Sequence, residues 1–225
     1  MCLVELLCAG SQAQGTAPSN SQFVYEPEID TYVGLTEKIR FEFETSRTTD
    51  GVNYSSASIG PSLQFTLKPI VRKGVESNDS ADRKYLTFSA GYRYLSNANG
   101  PDENRIQLDL TPRYYLPWSL LLSDRNRFDL RWIGGVFSWR YRNRLTLERS
   151  FRIRSFAVSP YAQGEVFYDS RTGTWSQNTY EFGAVVPIRK RFQFKSYYQH
   201  EIARNASPPI TNAFGMTLYI FLRRL

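Results

Sequence analysis

Apolar and polar residues alternate along most of the chain. In "RIQLDL", residues 105–110, every second side chain is apolar and the others are charged or carry an amide. Successive side chains of a β-strand point to opposite faces, so a period of two indicates strands with one apolar and one polar face. The 3.6-residue period of an amphipathic helix does not compete with this pattern. The sequence therefore predicts an all-β fold.

Eleven alternating runs can be counted, separated by residues that favour turns. They lie at about residues 29–35, 39–44, 58–68, 85–94, 105–114, 127–132, 137–148, 158–166, 179–186, 192–201 and 211–222. The runs allow 10–12 strands. Single-chain bacterial barrels have an even number of strands, so we expect either 10 or 12. The simplest way to reach an even number makes Gly134-Gly135 a bulge inside one long strand.

Two inverted arrangements give strands of this kind. A soluble barrel or sandwich turns the apolar face inward, whereas an outer-membrane barrel turns it to lipid and encloses the polar face. Runs of roughly 9–11 residues suit a tilted crossing of the hydrocarbon layer, and strands of globular proteins are shorter on average. The lengths favour an antiparallel up-and-down transmembrane β-barrel.

The stretch "FSWRYRNRL", residues 137–145, shows what each face would carry. Arg140, Arg142 and Arg144 occupy alternate positions, and Trp139 and Tyr141 lie on either side of Arg140. In a narrow lumen, arginines and carboxylates can form bidentate pairs. The residues expected in this lumen charge network are Arg40, Glu42, Glu44, Arg93, Arg113, Arg131, Arg140, Arg142, Arg144, Glu148, Glu165, Glu181 and Glu201. The residues expected to face lipid and its aromatic girdle are Trp132, Phe137, Trp139 and Tyr141.

The amino-acid composition excludes several classes of protein. Hydrophobic residues make up 41% of the chain, aromatic residues 15% and charged residues 22%, a mixture that does not resemble a disordered protein. No apolar run is long enough for a transmembrane helix. The net charge of +7 permits anionic partners. Because carboxylates share the basic face, we expect the headgroups of a membrane as partners and no nucleic acid.

The amino-terminal segment resembles a truncated export signal. Residues 1–13 contain a short apolar run followed by Ser11-Gln12-Ala13, a small-x-small cleavage pattern, although Glu5 interrupts the run. We expect residues 14–24 to be a linker and residues 25–225 to form a single barrel domain. Both cysteines, Cys2 and Cys8, lie in the signal segment. This organisation predicts export through the periplasm to the bacterial outer membrane.

Candidate chemistry is sparse. The single histidine, His200, is placed by the alternation on the lipid-facing side or at the rim. "YLSNANG", residues 94–100, is faintly similar to the His-x-Ser-Asn segment of outer-membrane lipid hydrolases, but Tyr94 stands where the histidine belongs, so Ser96 has no local base. One histidine and scattered carboxylates do not give metal-ligand spacing, although Asp79, Asp82, Asp102 and Glu103 could hold Ca²⁺ in loops. We therefore predict no catalytic residue, no metal site and no cofactor.

Several motifs resemble a known family. They are "YEPEID" at residues 25–30, "GYRY" at 91–94, "SWRYRNRL" at 138–145, "PY" at 160–161 continuing to "EVFYD" at 165–169, and "NAFG" at 212–215. In this order they are similar to an uncharacterised family of Gram-negative outer-membrane β-barrels of unknown function, over roughly residues 24–222. The resemblance implies a barrel in the outer membrane and supplies no catalytic site.

Together these observations predict an outer-membrane β-barrel without enzymatic activity. Its charge-paired lumen would pass at most small solutes or ions, in a porin-like way, or the protein would have a structural role in the envelope. Expected partners are outer-membrane lipids, lipopolysaccharide and the barrel-assembly machinery, and the oligomeric state stays open. The alternatives are a lipid hydrolase of the deacylase or phospholipase kind and a soluble ligand-binding β-barrel.

Overall fold

The computed structural model describes residues 20–67, 86–153, 156–189, 191–204 and 206–222. The predictions for the export signal, for Cys2 and Cys8, and for the loop acids Asp79 and Asp82 lie outside the described residues. Within the described part, nearly all residues belong to strands, as the alternation predicts. No helix in that part of the chain is long and apolar enough to cross a membrane.

Twelve strands are present in the described residues. They are β1 (Ser21–Gly34), β2 (Ile39–Asp50), β3 (Asn53–Leu67), β4 (Leu86–Asn97), β5 (Glu103–Leu116), β6 (Leu120–Ile133), β7 (Val136–Arg149), β8 (Phe151–Ile153), β9 (Phe156–Asp169), β10 (Thr174–Arg189), β11 (Phe192–Ala203) and β12 (Ile210–Leu222). A single 3₁₀ turn, Pro117–Ser119, joins β5 to β6. The short β8 pairs only with β9 in the described residues, as a small side ladder.

The other eleven strands close into a barrel. Consecutive strands pair antiparallel from β1 to β7, then β7 pairs with β9, and β9 to β12 continue the meander. The barrel closes where β1 pairs with β12, and this pair is parallel. The fold class is therefore an all-β, mostly antiparallel barrel within the expected range of strand number. The expectation of an even number is wrong.

The turn between β6 and β7 explains why that expectation failed. Gly134 and Gly135 have φ values of 56° and 86°, and Ile133 pairs with Val136 across them. Two successive residues with positive φ form the primed turns that join tight β-hairpins, and glycine adopts them without steric cost. Gly134-Gly135 is thus a turn between two strands and not a bulge within one.

Strand β1 begins earlier than the alternation suggested. It starts at Ser21, so residues 21–24 of the predicted linker belong to the barrel. Tyr25, Pro27 and Ile29 lie on its outer face, while Glu26 and Glu28 lie on the inner face. Proline in a strand weakens a strand prediction, which is why the first half of β1 was missed.

The strand directions place the start of β1 and the end of β12 at opposite ends of the barrel. The turns at 51–52, 134–135 and 170–173 lie at one end of the barrel, which we call the first end. The turns at 35–38 and 117–119 lie at the opposite, second end. Because β1 and β12 run parallel, β1 starts at the first end and β12 finishes at the second.

The barrel interior is polar and its outer surface is apolar. Asp129, Glu165 and Thr217 are almost fully buried, whereas Phe182 and Leu63 are exposed. A row of buried charges and a row of exposed hydrocarbon is the reverse of an ordinary water-soluble core. The soluble alternative, with an apolar interior, is not the arrangement of the described residues.

Candidate functional site

The interior surface of the barrel is the candidate site, and β5 shows how the sequence builds it. Glu103, Arg105 and Asp109 are buried, whereas their neighbours Ile106 and Leu108 are exposed. Each strand sends alternate residues inward, so the polar rows of neighbouring strands meet inside. A buried charge needs a partner, and the polar rows provide it by cross-strand contacts.

Glu165 on β9 is the centre of one ion-pair cluster. Its carboxylate oxygens accept hydrogen bonds from Arg125 at 2.9 Å, Arg142 at 3.0 Å and Arg144 at 2.7 Å. Arg144 and Glu165 are direct partners in the β7–β9 register. Only 3% of Glu165 is exposed, so the three guanidinium groups replace the water that the carboxylate has lost.

Two further pairs lie between β5, β6 and β7. Arg127 contacts both carboxylate oxygens of Asp109, at 2.5 and 2.9 Å, in a bidentate pair between register partners. Arg140 approaches its register partner Asp129 at 3.2 Å. Asp129 is fully buried. The strand register therefore sets which charges meet.

A third group of charges lies near the first end. Arg131 donates two hydrogen bonds of 2.7 Å to Glu103 and one of 3.0 Å to Asp169. Arg105 also contacts Glu103, at 2.7 Å, and Arg171 pairs with Asp169. Glu103, which the sequence had suggested as a loop ligand for Ca²⁺, is instead an interior partner of arginine.

The opposite side of the interior is acidic. We call Glu26, Glu28, Asp30, Glu42 and Glu44, on β1 and β2, the acidic wall. Tyr197 donates a hydrogen bond of 3.1 Å to Glu26, and Thr217 donates one of 3.2 Å to Glu28. Ser62 donates to Glu42 at 2.7 Å. In this wall, neutral side chains donate hydrogen bonds to the carboxylates. On β5–β9, arginines donate the corresponding bonds.

Arg93 is the cation that reaches this wall. It forms an ion pair with Glu44, although β3 lies between their strands. The intervening inward residue is Gly60, where a Cβ would come within 2.8 Å of the Arg93 Cα. The missing side chain therefore leaves the space through which Arg93 approaches Glu44.

A cavity of about 500 Å³ separates the two sides. The acidic wall lines one part of it, and Arg113, Arg125, Arg127, Arg142 and Arg144 line another. The cavity occupies only part of the barrel, because the ion pairs around Asp129 and Glu103 fill the rest. It is a polar space large enough for a few water molecules or a small solute.

The predicted lumen residues are placed as follows. Arg40, Glu42, Glu44, Arg93, Arg113, Arg142, Arg144 and Glu181 line the cavity. Arg131, Arg140 and Glu165 belong to the ion-pair clusters described above. Glu181 accepts hydrogen bonds from Tyr161 and Gln163 and pairs with Lys195. Glu148 and Glu201 are half-buried, opposite Tyr161 and Thr179 in the strand register.

The predicted girdle residues belong to two groups of aromatic contacts on the outer surface. Trp139 stacks between Phe128, at a ring distance of 5.3 Å, and Tyr168, at 5.5 Å. Trp132 contacts Phe137, and Tyr141 contacts Trp175 edge to face. Offset and edge contacts of this kind stabilise aromatic pairs beyond the area they bury.

The acids of β1 were missed by the sequence reasoning. Glu26 and Glu28 precede the first predicted run at residues 29–35, and Asp30, inside that run, was not assigned to the lumen charge network. The signal is present in "YEPEIDTY", residues 25–32, where acidic residues alternate with Tyr25, Pro27 and Ile29. The interior residues Arg105, Arg125, Arg127 and Asp129 follow from the same alternation.

The residues considered for catalysis do not meet. Ser96 lies near the end of β4, where its backbone carbonyl accepts a hydrogen bond from Tyr54. His200 lies on β11 and its Nδ1 contacts Asn212 at 2.9 Å. In the closed strand order, β12, β1, β2 and β3 separate β11 from β4. The structure therefore does not assemble a serine–histidine pair from these two residues.

The loop between β4 and β5 contains Asp102. The Tyr94 hydroxyl donates a hydrogen bond of 2.6 Å to it, and the Asn97 N–H donates one of 3.2 Å. These two bonds favour the ionised carboxylate and hold the pKa of Asp102 below its usual range. The local contacts give Asp102 a role in ordering the loop.

Comparisons with known proteins add one finding. A search of curated proteins and a search of solved structures each found no match. A family described as "Protein of unknown function (DUF2490)" matches residues 38–212, from just before β2 into β12. The match leaves out "YEPEID", whereas the resemblance drawn from the sequence extended to residue 24. Because the matched range covers most of the chain, this protein belongs to the DUF2490 family of unknown function.

Proposed function

We propose that this protein is a β-barrel of the bacterial outer membrane without enzymatic activity. The observation that carries the proposal is the inverted distribution of side chains. Charged residues fill the interior and apolar residues cover the outside. In water, that outer surface would expose hydrocarbon without compensation, whereas in a bilayer it meets lipid chains.

The exposed apolar residues form a belt around the whole barrel. Every barrel strand contributes at least one, and examples from β1 onward are Ile29, Phe43, Leu63, Phe88, Leu108, Phe128, Leu145, Val166, Phe182, Tyr198 and Met216. The barrel strands have 12 to 16 residues, more than the roughly 9–11 that a tilted strand needs to cross the hydrocarbon layer. Both features support a membrane-spanning barrel.

The interior supports a restricted role in transport or a structural role. Bidentate and clustered arginine–carboxylate pairs join neighbouring strands on the lumen side of the wall at Asp109, Asp129 and Glu165. Such a lumen leaves room for small ions or solutes and excludes larger cargo. The proposal is therefore a barrel that maintains the envelope, with at most a narrow polar path.

The proposed partners follow from this location. The outer apolar belt contacts outer-membrane lipids and lipopolysaccharide, and an exported barrel requires the barrel-assembly machinery for insertion. The aromatic cluster around Trp139 suits the interface between headgroups and hydrocarbon.

Membrane fractionation tests the location. The full-length protein should be recovered with the outer membrane, require detergent for extraction, and migrate differently on gels before and after heating. Recovery in the soluble fraction without detergent contradicts the proposal.

Site-directed labels test which face meets lipid. A fluorophore at Leu145→Cys, on the outer surface, should be quenched by nitroxides attached to lipid chains, whereas one at Ser62→Cys, in the cavity wall, should not. Replacement of Cys2 and Cys8 removes background labelling. Equal quenching at the two positions contradicts the orientation.

Conductance measurements distinguish the two roles. If the cavity is part of a path, the purified barrel should produce small, discrete current steps in planar bilayers. A silent barrel favours the structural role. Lipid deacylation by wild type that disappears in Ser96→Ala would overturn the assignment of no enzymatic activity.

A further inference from the structure

Three carboxylates of the acidic wall come together inside the barrel. Glu28 and Asp30 on β1 and Glu44 on β2 each place a carboxylate oxygen within 4.8 Å of the others. They line the polar cavity. The sequence analysis predicted no metal site, because one histidine and scattered carboxylates do not give metal-ligand spacing.

The strand register forces this proximity. Asp30 and Glu44 are direct partners in the antiparallel β1–β2 pair, and Glu28 lies two residues from Asp30 on the same face. Like charges placed directly opposite each other destabilise a sheet. The side chains cannot turn away from one another to opposite faces, since all three point into the lumen. A cation bound at this point would offset their repulsion.

Asp30 shows that the protein does not supply enough partners. Only 6% of this residue is exposed, and its Oδ1 is buried without a hydrogen-bond partner among the described residues. Buried carboxylate oxygens are normally satisfied by donors or by metal ions. A buried, unsatisfied oxygen on a residue of this carboxylate cluster is available to act as a metal ligand.

The local charges indicate the valence of the missing partner. Among the described residues, the ion pair between Arg93 and Glu44 is the one that neutralises a member of the cluster. Thr217 donates a hydrogen bond to Glu28 but carries no charge. Metal-ligating carboxylates are deprotonated, and in that form three carboxylates and one guanidinium leave two negative charges. A divalent cation balances them.

We propose that Glu28, Asp30 and Glu44 bind a hard divalent cation, with Ca²⁺ favoured over Mg²⁺. All three donors are oxygens, which these cations prefer. Ca²⁺ takes about six to eight oxygen ligands in a flexible geometry, whereas Mg²⁺ demands a near-ideal octahedron and usually keeps several waters. Three protein carboxylates whose oxygens lie within 4.8 Å of one another therefore suit Ca²⁺ better. Water in the cavity completes the coordination.

This site is independent of the proposed location. It rests on the β1–β2 register and on interior contacts, which are the same whether the barrel lies in a membrane or in detergent. Binding therefore tests the site, and fractionation tests the location. The cation would also join β1 to β2 next to the parallel closure of the barrel.

Calorimetry tests the proposal directly. The full-length protein, folded in detergent and freed of metal with a chelator, is titrated with CaCl₂. We expect saturable binding of one ion per barrel in wild type. Asp30→Asn keeps the shape of the side chain and removes one charge, so it should weaken binding by at least about tenfold.

The matched control is Asp50→Asn, an identical change at an exposed position at the end of β2. It should leave Ca²⁺ binding unchanged. Glu28→Gln is a second variant within the site and should weaken binding as Asp30→Asn does. Heat-modified gel migration confirms that each variant is folded before titration.

Three outcomes overturn the inference. The first is absence of Ca²⁺ binding to folded wild type at millimolar concentrations. The second is equal binding by wild type, Asp30→Asn and Glu28→Gln, which would place the ion elsewhere. Tighter binding of Mg²⁺ than of Ca²⁺ would contradict the stated preference.

Discussion

Tyr197 lies across a glycine on the neighbouring strand. Its ring occupies the position where Gly215 would carry a Cβ. From there its hydroxyl donates to Glu26 on β1, 3.1 Å away. Tyr161 and Gly183 repeat the arrangement on β9 and β10. Glycine is required at these positions because the ring needs the space, whatever the backbone angles.

Gly215→Ala should therefore destabilise the barrel. The added methyl group displaces the Tyr197 ring and breaks its bond to Glu26, a case of overpacking that costs about 1–3 kcal/mol of unfolding free energy. Urea unfolding of the protein in detergent, followed by tryptophan fluorescence, measures the change. The control is Gly164→Ala, because the nearest atom to its added Cβ is 3.9 Å away. Equal loss of stability in both variants contradicts the explanation.

Among the described residues, Glu165 is the carboxylate that pairs with three arginines. They are Arg125, Arg142 and Arg144. Glu165→Gln would keep the size of the side chain and leave three buried guanidinium groups without this negative partner. Breaking a buried pair from one side is strongly destabilising, so we expect a loss of about 3–5 kcal/mol in unfolding free energy.

The control for this variant is Glu37→Gln, at an exposed position between β1 and β2. Surface substitutions usually change stability by less than about 0.5 kcal/mol. The same urea series measures both variants. A loss at Glu165 no larger than that at Glu37 would mean that water, and not the carboxylate, solvates the three arginines.

At the scale of the strands, the parallel pair of β1 and β12 is the least expected element. Ile29 is the partner of Leu218 in this register, and both side chains belong to the outer face. The double variant Ile29→Cys with Leu218→Cys should form a disulfide under mild oxidation, in a chain whose Cys2 and Cys8 are replaced. The closed loop changes gel migration of the denatured chain, and reduction reverses the change.

A displaced pair provides the control. Ile29→Cys combined with Phe214→Cys keeps both residues on the same strands but moves one partner by four positions along β12. This pair should cross-link far less, because disulfides require Cα atoms about 4.4–6.8 Å apart. Efficient cross-linking of the displaced pair, or none in the matched pair, contradicts the register.

The alternation was sufficient to predict most of the fold. It located eleven strands, assigned Arg140, Arg142 and Arg144 to one face and Trp139 and Tyr141 to the other, and excluded helices. Those features depend on side-chain direction, which has the same period in every strand. The charge pairs, such as Arg127 with Asp109, additionally need the register, which alternation alone does not specify.

The alternation does not predict how the barrel closes. A pattern within β1 does not indicate whether its free edge pairs with β12 or in which direction, because that depends on residues nearly 190 positions away. Pro27 weakened the strand prediction for the first half of β1, which left out Glu26 and Glu28. The candidate Ca²⁺ site was not predicted, because the approach of Asp30 to Glu44 depends on the β1–β2 register.

For the whole molecule, an odd number of strands has a topological consequence. β1 begins at the first end of the barrel and β12 finishes at the second. In a barrel that spans a membrane, Ser21 and Leu222 then lie at opposite sides of the membrane. An even-stranded barrel would place both on the same side.

Epitope tags test this arrangement in cells. One tag is inserted directly before Ser21 and another directly after Leu222, in separate proteins that retain any export signal upstream. With intact cells, antibody or protease should reach only one of the two tags, and after outer-membrane permeabilisation both. A tag in the Gly134-Gly135 turn, at the first end, should behave like the tag before Ser21. If both terminal tags are reached from the same side in correctly folded protein, β1 does not close the barrel as a parallel strand, and the ten antiparallel strands from β2 onward must close on themselves.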